Sequence, residues 1–185
     1  NDEYQATVGA TLLPGTYYYA TRFRLNFGPY VYGGIDSNND GAFWNGTTHN
    51  SGILTVTPPP APANDECTNA IALTPGGVFA DYPLSGTILG ASTTAGVAPS
   101  CQTLFAADVW YSVVVPASGS ITIETQVAAS SSMTDSVVAA FSGSCGTLTQ
   151  LGCDDDGGPA GANNFMSILS LSALTPGDVI YVGVW

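Results

Sequence analysis

The proline run in "TPPPAPANDEC" constrains the fold of this chain more than any other feature of the sequence. Four of the five residues from 58 to 62 are proline. Proline has a fixed φ and no backbone N–H, so a run of this density favours an extended, semi-rigid spacer over a helix or a central strand. The sequence therefore predicts two modules, residues 1–57 and 64–185, joined by a Pro-rich linker over residues 58–63.

Short runs of aromatic and β-branched residues, separated by Gly, Pro and Asn, fill both segments. Examples are "GTYYYATRFRLN" and "SGILTVT" in the first segment, and "DVWYSVVVPAS", "GSITIETQV", "DSVVAAFSG" and "DVIYVGVW" in the second. Such runs are typical of strands, and their regular spacing is typical of a sandwich. The predicted fold class is all-β, with two β-sandwich modules. The first segment is too short to bury a stable core alone, so we expect it to be the C-terminal part of a larger sandwich.

The charge of the chain excludes two classes of partner. Fourteen acidic residues stand against two basic residues, Arg22 and Arg24, and the formal net charge is −12. Such a surface repels nucleic-acid phosphates and anionic lipid. The sequence also lacks the run of about 18 apolar residues that a membrane-spanning helix requires. We therefore predict neither nucleic-acid binding nor membrane insertion.

Four cysteines lie in the second segment, and their spacing includes no C-x-x-C pair. A zinc site is therefore disfavoured, whereas disulfides suit a lysine-free chain rich in Thr, Ser and Gly. This usage predicts an exported protein, either extracellular or at the cell surface. Four cysteines allow three pairings, and we favour Cys67–Cys101 and Cys145–Cys153 because the second bridge would close the short hairpin around "GTLTQLG".

The acidic stretch "LGCDDDGGPAGANN" is the strongest candidate site in the sequence. Asp154, Asp155 and Asp156 are consecutive, and Asn163 and Asn164 follow on the same loop. Neighbouring carboxylates repel each other unless they are screened or share a cation, and calcium accepts carboxylate and amide oxygens in an irregular shell. The loop is either a Ca²⁺ site or a solvated turn.

A second, weaker calcium pattern lies in "DSNNDG" of the first segment. Asp36, Asn38, Asp40 and Gly41 match the start of a calcium-binding loop. The twelfth position, where an EF-hand carries a bidentate Glu, is Thr47, and no flanking helices are predicted. The pattern therefore excludes an EF-hand and leaves either a calcium-binding turn or an Asn/Asp-rich hairpin tip.

The first segment is also rich in aromatic residues. Alternation along strands should direct half of them outward, where rings can bind sugars or protein partners, but core packing produces the same pattern. The residues concerned are Tyr17, Tyr19, Phe23, Tyr30, Tyr32 and Trp44.

The sequence does not predict catalysis. His49 is the single histidine, there is no lysine, and the G-x-S-x-G motif is absent, so a nucleophile would lack its base. Glycosidase chemistry needs two acids that face each other in different environments, whereas the adjacent acids of the loop share one solvent. We predict that this chain is not an enzyme.

The order of motifs in the second segment resembles a known bacterial family. The motifs are "NDECTNAIAL", "ADVWYSVVVPASGSITIET", "DSVVAAFSGSCGTLTQLGCDDDGG" and "LSLSALTPGDVIYVGVW". They are similar to the pre-peptidase C-terminal (PPC-like) jelly-roll module, in the variant repeated in long surface and secreted proteins that Bacteroidetes export by the type IX system. The family's final strand is expected to be cut short at Trp185. Residues 11–57 are similar to the closing half of an immunoglobulin-like module.

These resemblances imply a role and further site residues. The resemblance to the PPC-like family implies a calcium position at the acidic loop, which Asp135 is expected to approach. The triplet Asp135-Ser136-Val137 resembles the short O-glycosylation motif of Bacteroidetes, which makes Ser136 a candidate site. Modules of both kinds serve as spacers, adhesive units or binding accessories in multidomain chains.

The predicted function is a non-catalytic structural or adhesive module of a large exported protein. Its expected partners are neighbouring modules of the same chain, surface polysaccharide or other surface proteins. The alternative is an accessory region that binds carbohydrate or substrate for a secreted hydrolase or protease.

Overall fold

The computed structural model describes residues 12–19, 21–24, 30–33, 52–129, 131–158 and 165–185. These residues form an all-β fold, as the sequence predicts, with eleven strands and one short 3-10 turn in the described ranges. That turn has three residues, so no helix in these ranges is long and apolar enough to cross a membrane. Backbone contacts divide the chain into two compact units, Asn1–Pro58 and Pro59–Trp185.

Two antiparallel strand pairs are described in the first unit. Strand β1 (Gly15–Tyr19) pairs with β4 (Gly52–Val56), and β2 (Thr21–Arg24) pairs with β3 (Tyr30–Gly33). These strands coincide with the aromatic and β-branched runs of the sequence, whose side chains suit a pleated surface.

The second unit contains a five-stranded sheet and a two-stranded sheet. Its strands are β5 (Ile71–Leu73), β6 (Val109–Val114), β7 (Ile121–Glu124), β8 (Val138–Ser142), β9 (Thr149–Asp154), β10 (Ile168–Leu171) and β11 (Val179–Val184). The larger sheet has the order β5-β6-β11-β8-β9, and β7 pairs with β10 in the smaller one. Every pairing is antiparallel except that of β5 with β6.

The two sheets pack face to face around one apolar cluster. Val113, Val138 and Val182 contribute from the larger sheet, and Ile121 and Leu169 contribute from the smaller one. Because alternate residues of a strand point to one face, β6, β8 and β11 each direct every second side chain into this layer. The arrangement is that of a β-sandwich.

The opposite face of the larger sheet carries a second, aromatic cluster. The ring of Trp110 lies 5.6 Å from that of Phe141 and 6.2 Å from that of Trp185, between ring centres. A Cβ atom at Gly183 would lie 2.6 Å from the Trp185 ring, so only glycine allows this close approach. Segment 91–107 contributes Phe105 to the same cluster. The larger sheet is therefore covered on both faces.

Coverage on both faces explains the composition of β8. Val138, Ala139, Ala140 and Phe141 are all buried. A strand with one solvent-exposed face alternates apolar and polar residues, whereas a strand buried on both faces reads as a continuous apolar run. The run "SVVAAF" is of the second kind, so it indicates an interior strand.

The predicted disulfide pairing is wrong. The structure joins Cys67 to Cys145 and Cys101 to Cys153. In the β8–β9 hairpin Ser142 lies opposite Thr149, which leaves Cys145 in the turn. Cys153 lies four residues further along β9, roughly 13 Å from Thr149 at the usual rise of a strand. A disulfide needs Cα atoms within about 7 Å, so these two cysteines are too far apart.

Neighbouring segments supply the partner of Cys153 instead. Ser100 donates its N–H to Oε1 of Gln150 at 3.1 Å, which places the following residue, Cys101, beside β9. Cys67 is buried on the aromatic face of the sheet, and Cys145 packs against the same cluster while remaining partly exposed. Both bridges therefore connect positions that are distant in the sequence but adjacent across the fold.

Candidate functional site

An acidic cluster forms where β8 begins and β9 ends. Val138 lies opposite Asp154 in the antiparallel hairpin, so the residues just before β8 meet those just after β9. This register brings together carboxylate oxygens of Asp135, Asp155 and Asp156, all within 4.8 Å of one another. We call these three residues the acidic cluster.

Asp154 has a different role from its two neighbours. Its Oδ2 accepts the N–H of Gly157 at 2.9 Å and the N–H of Ile168 at 2.9 Å. The carboxylate thereby shapes the turn after β9 and connects it to the start of β10. Of the three consecutive aspartates, only Asp155 and Asp156 are placed in the acidic cluster.

Asp155 is held in position through both its side chain and its main chain. Nε2 of Gln102 donates to Oδ2 of Asp155 at 3.0 Å, and Oγ of Ser167 donates to its carbonyl oxygen at 2.9 Å. These contacts come from segment 91–107 and from the residues preceding β10. The Cys101–Cys153 bridge is adjacent, so the covalent link also positions Gln102.

The environment of Asp155 disfavours its charged form. Burial raises the pKa of Asp155 above its ordinary value of 3.8, and the negative charges of Asp156, Asp135 and Asp154 raise it further. The hydrogen bond from Gln102 acts in the opposite direction. Because the ionised form is disfavoured, the cluster costs stability above the folded-state pKa, and this cost is relieved as pH falls through that pKa.

No basic side chain of the second unit can neutralise the acidic cluster. Both arginines belong to the first unit, and ten of the 14 acids belong to the second. Two carboxylates at 4.8 Å repel each other by about 0.9 kcal/mol in bulk water, and by more where water is partly excluded. Within this unit, the charge has to be balanced from solution.

The spacing of the cluster suits a hard cation. Calcium lies at about 2.4 Å from its oxygen ligands, so two oxygens on one ion are separated by at most about 4.8 Å. The three carboxylates meet this limit and offer the oxygen chemistry that calcium prefers.

Other predicted site residues fall outside the described part of the chain. These are Asn163 and Asn164 of the acidic loop, Asp36, Asn38 and Asp40 of the weaker calcium pattern, and His49. Among the aromatic candidates, only the side chain of Tyr17 is described, and its hydroxyl donates to the carbonyl of Leu13 at 2.7 Å.

The predicted glycosylation site, Ser136, is buried in the folded module. Ser136 is only 2% exposed, and its Oγ lies 2.7 Å from Oγ1 of Thr125. Its backbone carbonyl also lies beside the Ser167 hydroxyl, whose single hydrogen it shares with the carbonyl of Asp155. A glycan on this oxygen would have to displace buried neighbours. The motif is a property of three neighbouring residues, whereas the burial of Ser136 depends on the packing of β7, β8 and β10.

Sequence reasoning missed Gln102 and Ser167. Neither belongs to the acidic loop, and neither carries a charge that would draw attention to it. No signal in the sequence pointed to Gln102, because its position beside Asp155 depends on the pairing of Cys101 with Cys153, which only the structure shows. Ser167 had no signal either.

The fold and the acidic cluster define a class: a disulfide-bridged, all-β domain with a cluster of carboxylates at one end of its larger sheet. Two disulfides are typical of proteins in oxidising compartments. Comparisons with protein-family models, with curated proteins and with solved structures found no match for this chain.

Proposed function

We propose that this chain is a non-catalytic structural and adhesive part of an exported multidomain protein. In this proposal, residues 64–185 are a PPC-like jelly roll, residues 1–57 are the end of an immunoglobulin-like module, and the prolines between them are the linker. The layered all-β fold and the resemblance in motif order support the assignment. The positions of the two disulfides are the observation that supports the proposed structural function.

The two disulfides form overlapping loops that protect the module against extension. Cys67 bridges to Cys145, and Cys101, inside that loop, bridges to Cys153 beyond it. A force that pulls on the two ends of the unit is carried through the bridges and bypasses the residues between Cys67 and Cys145. Covalent bypass of this kind suits a domain whose work is to keep its length under load.

This mechanical role predicts a short extension in single-molecule pulling. With the unit held at residues 59 and 185, only the stretches 59–67, 145–153 and 153–185 can extend. These contain about 48 residues, or about 170 Å of chain, whereas the reduced unit would release about 440 Å. Pulling the oxidised and the reduced chain on the same instrument measures both values. Full extension of the oxidised chain would contradict the proposal.

We also propose that the acidic cluster binds Ca²⁺ and stiffens the junction of β8, β9 and β10. Asp135, Asp155 and Asp156 would supply carboxylate oxygens to the ion. The ion would remove the repulsion among them and would connect the start of β8 to the turn after β9. The geometry of the cluster and the lack of any basic residue in this unit support the proposal.

Chelation should therefore lower the melting temperature of the second unit. At a calcium concentration ten times Kd, binding to the folded state alone adds about 1.4 kcal/mol, which corresponds to about 5 °C for a domain of this size. The double variant Asp155→Asn with Asp156→Asn should melt at the same temperature with and without chelator. Differential scanning calorimetry at pH 7 measures these shifts.

The raised pKa of Asp155 predicts that removing its charge stabilises the calcium-free unit, whereas the same change abolishes stabilisation by calcium. Without calcium, Asp155→Asn should be more stable than the wild type at pH 7, because it removes a disfavoured charge, and this advantage should disappear as pH falls through the folded-state pKa toward 3.8. Asp178→Asn is a matched control, since this exposed acid precedes Val179 at the opposite end of β11. Equal melting curves in calcium and in chelator would leave the loop as a solvated turn.

One observation favours the alternative function, an accessory region that binds carbohydrate. Two aromatic side chains of segment 74–88 are exposed, Tyr82 at 64% and Phe79 at 38%, and exposed rings can stack on sugars. Retention of the chain on insoluble polysaccharide, lost in Tyr82→Ala, would favour the accessory role.

A further inference from the structure

A long cleft lies beside strand β7 in the second unit. Its volume is about 860 Å³, and consecutive residues from Ser120 to Gln126 line it along one side. Segment 74–88 forms the opposite wall. Every residue of β7 lines the cleft and no residue of β10 does, so the cleft lies on the β7 side of the smaller sheet.

The floor of the cleft is the sandwich face of the larger sheet. Its accessible part is formed by three half-buried residues, Leu73 of β5, Tyr111 of β6 and Val184 of β11. The larger sheet has five strands, whereas the sheet packed against it has two. Strands β7 and β10 therefore cover only part of this apolar face, and the cleft lies over the remainder.

The edge of β7 that faces away from β10 has no strand partner among the described residues. The N–H of Thr125 donates to the carbonyl of Ser167 at 3.0 Å, which marks that pair as hydrogen-bonded. Hydrogen-bonded and non-hydrogen-bonded pairs alternate along an antiparallel ladder. The pair of Ile123 with Leu169 is therefore also hydrogen-bonded, and Ile123 points its backbone N–H and C=O toward β10. Thr122 and Glu124 then direct their N–H and C=O groups away from it.

A side-chain contact supports this assignment. The hydroxyls of Thr122 and Ser170 lie 3.1 Å apart. Side chains approach more closely in the pairs of an antiparallel ladder that lack backbone hydrogen bonds. Thr122 therefore presents its amide group to the free edge, and Glu124 presents the next one, about 7 Å further along the strand.

The wall opposite β7 is apolar and exposed. Val78 is 66% exposed and Leu84 is 51% exposed, and both line the cleft. Together with the floor, this wall offers apolar contacts to every second side chain of an extended segment placed between it and β7. A free strand edge beside an apolar groove is the arrangement that binds peptides by β-strand addition.

Charge decides between a second copy of this unit and a different partner. The unit contains ten acids and no Lys or Arg, so two copies repel each other. Glu124 adds a carboxylate at the groove itself. An incoming strand with Lys or Arg beside Glu124 would gain a cross-strand ion pair, and the charge of the unit would attract it.

We propose that this cleft binds an extended, basic peptide segment of another protein as a third strand of the smaller sheet. The segment pairs with the N–H and C=O groups of Thr122 and Glu124. Every second side chain of the segment is apolar and packs on Leu73, Tyr111 and Val184. The side chains between them face solvent, with a Lys or Arg beside Glu124.

The test uses a synthetic peptide of defined sequence and the full chain. The probe is acetyl-Thr-Val-Lys-Val-Thr-Val-Lys-Val-amide, which alternates polar and apolar residues. Isothermal titration calorimetry should show saturable 1:1 binding, and hydrogen exchange should slow at the amides of Thr122 and Glu124. Two methylated peptides are compared, one with methyl groups on the backbone nitrogens of its odd-numbered residues and one with them on the even-numbered residues. One of the two should bind at least tenfold more weakly than the parent peptide, and the other should lose much less affinity.

Protein variants separate strand pairing from other forms of binding. Thr122→Pro removes one free-edge N–H and leaves the hydrogen bonds to β10 in place, so it should weaken peptide binding at least tenfold, whereas Thr122→Val should not. Glu124→Gln should weaken the lysine peptide several-fold and leave a peptide with Thr in place of Lys unchanged. Should Thr122→Pro not fold, the methylated peptides still decide the question.

Three results would overturn the proposal. The first is equal affinity for the two methylated peptides and the parent peptide. The second is a concentration-dependent dimer in analytical ultracentrifugation that dissociates when the peptide is added. That result would show that the cleft binds a second copy of this chain. The third is slowed exchange at Thr122 and Glu124 with a xylo-oligosaccharide but not with the peptide.

Discussion

Replacing Cys67 and Cys145 together by alanine should lower the free energy of unfolding of the second unit by about 4.5 kcal/mol in the loop-entropy description. The two residues are 78 positions apart, so the bridge removes a large loop from the freedom of the unfolded chain. Small domains have a total stability of about 5 to 15 kcal/mol. We therefore expect the variant to be marginally folded at 37 °C.

Urea unfolding followed by circular dichroism measures this loss. Cys101→Ala with Cys153→Ala is the matched variant, and its separation of 52 positions predicts a smaller loss of about 4 kcal/mol. A crossed variant tests the pairing itself. Cys67→Ala with Cys101→Ala should leave two free thiols, Cys145 and Cys153, in titration of the denatured protein without reductant. Absence of free thiols would show that these two cysteines are bridged to each other and would contradict the structure.

Replacing Trp110 by alanine should cost the second unit about 3 to 5 kcal/mol, the range for loss of a buried tryptophan. Its side chain is 0% exposed and contacts the rings of Phe141 and Trp185. Its Nε1 also donates to Oδ2 of Asp108. Alanine therefore creates a cavity and removes a donor from a buried carboxylate.

Two further variants separate these contributions. Trp110→Phe keeps most of the ring and removes the donor to Asp108, so it should cost less than Trp110→Ala. Val114→Ala lies on the same strand, but Val114 is 55% exposed, and it should change stability by no more than about 0.5 kcal/mol. Urea unfolding followed by far-ultraviolet circular dichroism measures all three. If Trp110→Ala cost no more than Val114→Ala, the aromatic cluster would not be part of the core.

Strands were the most predictable feature of this chain. The runs "DVWYSVV", "SITIE" and "DVIYVGV" coincide with β6, β7 and β11. Strand formation depends on side chains within a few positions of each other, and these alternate or cluster visibly in the sequence. The continuous apolar run of β8 also indicated a strand, although its burial on both faces became clear only from the packing of segment 91–107.

The acidic cluster was predictable in part. Adjacency of Asp155 and Asp156 is a property of the sequence, and the resemblance to a family pointed to Asp135. The separate role of Asp154 was not predictable, because its partners are the N–H groups of Gly157 and Ile168, and the second of these is 14 positions away. Gln102 was not predictable for the same reason.

By itself, the sequence determined that this chain is rich in β-strands, strongly acidic and divided by a proline run, because these properties depend on composition and on neighbouring residues. Only the tertiary structure decided which cysteines pair, that Ser136 is buried, and that β7 leaves one edge free beside an apolar cleft. Each of these depends on strand order and register, which are set by contacts between residues far apart in the chain. A change of one residue in register would move every side chain of a strand to the other face, and no local pattern records that choice.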